Sequence, residues 1–178
     1  MGNKKLLTFI VVLAAVFVLL GFWFMFGRNS TPANGGQVIT EIDVTTMPDA
    51  TKATDMISKG VSVRQDFICT TDTINNIGIV FTRLQYVEGV NLVLELLNGN
   101  NSLARTIIPV TQVEDQHRVF IEPNGILRDL KDAKLTIKIY SENGENTGLA
   151  LMVSENVDTN YWFNNRKQKG SICFSVVE

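Results

Sequence analysis

The side chains best suited to chemistry in this chain are aromatic and planar-polar rather than nucleophilic. Residues 160–166 read Asn160-Tyr161-Trp162-Phe163-Asn164-Asn165-Arg166. Aromatic rings stack on the CH faces of a pyranose, and amide or guanidinium groups beside them hydrogen-bond its hydroxyls. Tyr161, Trp162, Asn164 and Arg166 are therefore candidate ligand-binding residues; the competing reading is that the rings cap the open end of a core. Tyr86, in Arg83-Leu84-Gln85-Tyr86, is a second aromatic candidate that could equally pack at a strand edge.

Catalytic chemistry finds less material. The chain has one histidine, His117, so a Ser-His-Asp triad would rest on it alone and a His-rich metal site is excluded. There is no Cys-x-x-Cys, no phosphate-cradling glycine loop and no nucleophile elbow. Asp66, Asp72, Glu114, Asp115 and Glu155 are raw material for the carboxylate pair of a glycoside hydrolase, but linear spacing does not set their separation, and solvated surface acids are the plainer reading. No catalytic residue is assigned, and the expected protein is not an enzyme. Asp, Asn and Glu oxygens from separate loops could hold a structural Ca²⁺, although no calcium-loop pattern is present, so no cofactor is assigned. Cys69 and Cys173 both lie in apolar runs. A disulfide between them is allowed in an oxidising compartment; two buried thiols behaving as small hydrophobes is the slightly favoured alternative.

The elements that must position these groups are short strands. Val61, Val63, Gln65 and Phe67 alternate with Ser62, Arg64, Asp66 and Ile68, and comparable runs cover residues 77–81, 90–97, 105–110, 118–122, 134–140, 149–153 and 171–177. Asn98-Gly99-Asn100-Asn101, Pro123-Asn124-Gly125 and Asn143-Gly144 supply turns between them. A first strand is expected over residues 38–44, followed by an irregular or briefly helical connection over 45–57. Eight or nine strands without a long amphipathic helix predict an all-β, antiparallel sandwich over residues 38–178.

Ahead of this domain, residues 6–26 (LLTFIVVLAAVFVLLGFWFMF) contain no charged residue. At about 1.5 Å per residue such a run crosses a hydrocarbon core about 30 Å thick, and in lipid it must be helical. The run is bulky where a signal peptidase needs small residues, so a retained anchor over residues 6–27 is expected over a cleaved signal. Lys4 and Lys5 before it, against Arg28 after it, place residues 1–5 in the cytoplasm and the strand-rich domain outside, joined by a linker over 28–37. The expected location is the cell membrane, single-pass. Setting aside Lys4, Lys5 and Arg28 leaves 13 basic against 18 acidic residues, a net of −5. Such a balance disfavours nucleic acid as a partner.

From Gly60 onward the order of features is recognisable. Gly60-Val61-Ser62-Val63-Arg64-Gln65-Asp66-Phe67 is followed by Ile77-Gly78-Ile79-Val80-Phe81 and by Val93-Leu94-Glu95-Leu96-Leu97 before an Asn/Gly turn. Val113–Phe120 and Asp132–Ser141 complete the succession. It resembles the extracytoplasmic jelly-roll, carbohydrate-binding-module-like β-sandwiches of bacterial membrane glycosyltransferases and polysaccharide-assembly proteins. The resemblance implies a jelly-roll-like fold and a glycan or envelope-polysaccharide intermediate as ligand; the multi-pass transferase part of those proteins is missing here. The alternative is an interaction subunit docking on a multi-pass glycosyltransferase or transporter, with Gly21 and Gly27 as small residues for helix contact in the bilayer. A glycoside hydrolase is the third possibility.

Overall fold

A computed structural model describes residues 44–178. The anchor, the linker and nearly all of the expected strand over 38–44 lie outside the described residues. Alternating sequence patterns become two antiparallel sheets packed in a sandwich-like arrangement. The strands are β1 (Lys52–Ala53), β2 (Ser62–Ile68), β3 (Asn76–Arg83), β4 (Asn91–Asn98), β5 (Asn101–Pro109), β6 (Arg118–Ile121), β7 (Lys134–Ser141), β8 (Leu149–Ser154), β9 (Asn160–Phe163), β10 (Arg166–Lys169), β11 (Ser171–Ile172) and β12 (Phe174–Val177). A 3-10 turn, Val110–Gln112, follows β5. One sheet runs β10-β9-β2-β7-β4-β5. The other runs β1-β8-β3-β12, with β6 also on β3 and β11 also on β8.

Period-two alternation decides which side chains meet between the sheets. Val63, Phe67, Leu92, Leu94, Leu96, Leu135, Ile137 and Ile139 of the first sheet are fully buried, as are Ile77, Ile79, Phe81, Ile121, Leu149, Leu151 and Val153 of the second. Phe67 and Phe174 meet across the gap with ring centroids 5.1 Å apart. Gln65 sits on the same inward face as Val63 and Phe67 and is also fully buried. Its Nε2 donates to Ser171 Oγ at 2.8 Å, and its Oε1 accepts from the Ile172 backbone N–H at 2.7 Å. The one buried amide of β2 thus bolts the two sheets together.

Two local expectations change. Of the alternatives for residues 45–57 the irregular connection holds, with the two-residue β1 paired to Val153 and Met152 of β8. The expected last strand is broken at Cys173: β11 pairs with β8, while β12 pairs with β3. Residues 160–169, read as an approach to that strand, form a β9–β10 hairpin whose two-residue loop is Asn164-Asn165. Both loop residues have positive φ, 49° and 60°, which is the geometry of the tight turn that matches strand twist and that asparagine tolerates. Gly170, at φ +107°, then carries the chain toward the other sheet; a Cβ there would lie 2.4 Å from Ser154 O.

Candidate functional site

Making residues 160–163 a strand divides the aromatic cluster. Tyr161 points inward and is 3% exposed, and burial pushes its phenol pKa up. It belongs to the core, which corrects its assignment as a ligand contact. Phe163 is partly buried against that core. Trp162 points the other way, onto the outer face of the β10-β9-β2-β7-β4-β5 sheet, where it is half-buried.

There Trp162 lines a groove of about 320 Å³ together with Ser62, Arg64, Thr136, Lys138, Asn100 and Asn165, and with Leu97 and Gly99 at its far end. The ring lies flat enough beneath Arg64 to place the guanidinium carbon 4.7 Å from its centroid. Lys138 Nζ stands 4.9 Å over the ring of Tyr140, two residues further along the same strand, β7. Asp66, one step along β2, accepts from Thr136 Oγ1 at 2.8 Å and faces Arg64 Nε at 3.6 Å and Lys134 Nζ at 3.4 Å. Its side chain is only 8% exposed, so it is a largely buried counter-charge beside the groove, in the cross-strand row next to that of Arg64.

The other candidates fall elsewhere. Asn164 forms the hairpin turn, and its neighbour Asn165, not Asn164, lines the groove. Arg166 is exposed at the start of β10, outside the groove lining. Tyr86 is 63% exposed on the β3–β4 connection beneath Arg83, whose guanidinium carbon is 5.7 Å from the ring centroid; it is no part of the groove. Cys69 and Cys173 are free, buried thiols rather than a disulfide. Cys69 Sγ donates to Thr71 O at 3.2 Å, while burial, reinforced by the Asp49 carboxylate, pushes the Cys173 thiol up to about 11.

Of the carboxylates considered for hydrolysis, Asp66 is committed to Thr136, Arg64 and Lys134. Asp115 Oδ1 accepts from the Arg83 backbone N–H at 2.9 Å and from Thr82 Oγ1 at 2.8 Å, contacts that hold its pKa below the usual value. Glu155 is the ion-pair partner of Lys52. Glu114 faces His117 at 3.5 Å on an open surface. Among the described residues no group of three or more His, Cys, Asp or Glu side chains could hold a metal ion. No described helix is long and apolar enough to cross a membrane.

Sequence reading missed Arg64, Lys138, Thr136 and Ser62. Their signal was present as the outward half of the alternation in β2 and β7, yet that half reads as ordinary solvated surface until the partner strands are known. The fold and the groove define an all-β protein built from two antiparallel sheets, with a polar and aromatic groove on one outer face. The chain matches no protein-family model and is similar to no curated protein at a significant level.

Proposed function

We propose that the chain is a membrane-anchored, extracytoplasmic, non-catalytic binding module whose jelly-roll-like sandwich holds a glycan in the groove floored by Trp162. The observation that carries the reading is the placement of Trp162: a half-buried indole on the outer face, lining one groove with Asn100, Asn165, Thr136, Ser62, Arg64 and Lys138. An apolar face surrounded by planar and hydroxylic hydrogen-bonding groups is the chemistry a pyranose needs. The apolar run over residues 6–26 and the flanking Lys4 and Lys5 support the anchoring and its orientation.

Isothermal titration of the full-length chain in detergent against a panel of envelope saccharides tests the binding. Trp162→Ala is expected to weaken it by about tenfold or more, the loss associated with removing a central aromatic contact. A Trp23→Phe background leaves Trp162 as the chain's sole tryptophan, so its fluorescence should shift on saturation. Absence of saccharide binding by the intact chain overturns the reading. Protease shaving of whole cells tests the topology, since the sandwich should be digested while a cytosolic probe leaves it unlabelled.

The interaction-subunit reading is favoured by a different observation. Leu84 and Tyr86 are 53% and 63% exposed on one connection. A stoichiometric membrane partner that is lost on Tyr86→Ala but kept on Trp162→Ala would establish that reading.

A further inference from the structure

We propose that the ligand of the Trp162 groove is an anionic saccharide, a sugar chain bearing carboxylate or phosphate groups, clamped between Arg64 and Lys138. The inference rests on the glycan-binding reading above and specifies its chemistry.

Strand register sets one continuous row across the outer face. Lys167 opposes Trp162, Trp162 opposes Arg64, Arg64 opposes Lys138, Lys138 opposes Glu95, and Glu95 opposes Arg105. The row carries four cations and one acid in a chain whose net charge beyond Arg28 is −5. Its central pair, Arg64 and Lys138, is a like-charge pair directly across two antiparallel strands, an arrangement that destabilises a sheet.

The acids nearby do not cancel this charge at the surface. Glu95, with its side chain 14% exposed, faces Arg105 at 3.4 Å. Asp66, largely buried in the next row, is shared between Arg64 and Lys134. Among the described residues Lys138 has no carboxylate within ion-pair distance; its contact is the Tyr140 ring. Arg64 Nε lies 3.6 Å from Asp66, too far for a hydrogen bond, so the donor fork stays available. None of the residues lining the groove is acidic. Two cations rooted about 5 Å apart at their Cβ atoms can therefore grip one acidic group, or two on successive rings; Arg64, which rests over the Trp162 ring, swings from it to the acid and leaves the indole to a sugar. Charge and stacking together distinguish this site from a generic basic patch.

The test is titration of the full-length chain in detergent with four probes: an oligogalacturonate, the same oligosaccharide with its carboxylates reduced to alcohols, a hexose-phosphate oligomer, and inorganic polyphosphate. At least one acidic saccharide is expected to bind about tenfold or more tightly than the neutral one, with affinity falling as salt rises. Which acidic probe wins identifies carboxylate or phosphate as the recognised group. Lys138→Gln and Arg64→Gln should each lower that affinity about tenfold, and Lys138→Arg should retain most of it. The thermal midpoint of Lys138→Gln should be unchanged or higher, because the substitution relieves the like-charge pair. If the reduced oligosaccharide binds as tightly, and depends on Trp162 but on neither cation, the anionic assignment falls while glycan binding stands. If polyphosphate matches the acidic saccharides, the site reads charge alone and the proposal is wrong. If no saccharide binds, both readings fail.

Discussion

Replacing Gln65 with leucine isolates the polar bolt between the sheets. The side chain is fully buried, and leucine fills similar space without an amide. Two hydrogen bonds disappear, the one from Gln65 Nε2 to Ser171 Oγ and the one from Ile172 N–H to Gln65 Oε1. Ser171 Oγ keeps its own bond to Ile172 O at 2.8 Å, so the serine remains partnered. The Ile172 N–H does not, and a buried donor left without an acceptor costs about 1–3 kcal/mol. Ser171→Ala removes the other half, depriving the Gln65 amide of its acceptor at a comparable cost. In the double variant that amide is gone as well, so the orphan created by Ser171→Ala no longer exists. The two costs should therefore fall short of additivity by about 1 kcal/mol. Urea unfolding of the full-length chain in detergent, followed by far-ultraviolet circular dichroism, measures all three. A Gln65→Leu variant within about 0.5 kcal/mol of the parent, or strict additivity, would refute the argument.

Four further outcomes follow from single contacts. Gly170→Ala should destabilise severely, since its Cβ would sit 2.4 Å from backbone oxygen at a positive φ; a melting temperature equal to the parent's contradicts that geometry. Asn165→Gly should keep or raise the melting temperature, because glycine suits the second position of this turn, while weakening saccharide affinity through the lost groove contact. Burial raises the Cys173 thiol from 9.0 to about 11, so the folded state prefers the neutral thiol. Its contribution to stability is complete below pH about 9 and is lost as pH rises toward about 11; thermal midpoints across that window should fall less for Cys173→Ala. The same thiol should resist iodoacetamide at pH 8 until urea opens the sandwich, and rapid native labelling would count against its burial.

Much of the architecture was legible because alternation is a local signal. β2, β3, β4, β6, β7 and β8 lie within a residue or two of the runs that the sequence marks, and even the inward direction of Gln65 follows from its place between Val63 and Phe67. Two places resisted for physical reasons. β10 reads Arg-Lys-Gln-Lys and is exposed along its whole length, so it has no apolar partner set to betray a strand; its charges suit a sheet edge instead. Its turn, Asn164-Asn165, lacks the glycine that usually announces a two-residue hairpin. Without that hairpin, Tyr161 and Trp162 look like members of one cluster, although strand geometry must send them to opposite faces.

The groove resisted more deeply, because its composition depends on register rather than on any local run. Trp162, Arg64 and Lys138 are separated in sequence by whole strands, and each alone is an unremarkable outward residue. Only the pairing of β9 with β2 and of β2 with β7 brings the indole, the guanidinium and the ammonium into one row. A slip of one residue in β2 would put Val63 or Gln65 in the place of Arg64 and turn Gln65 out of the core. The buried Gln65 bolt opposes that slip, since its two partners on β11 are met only in the observed register. Core register and groove composition are thus written into adjacent residues of one strand: Gln65 fixes the frame that sets Arg64 in the groove row, and under the proposed binding a change in the first should be felt in the affinity contributed by the second.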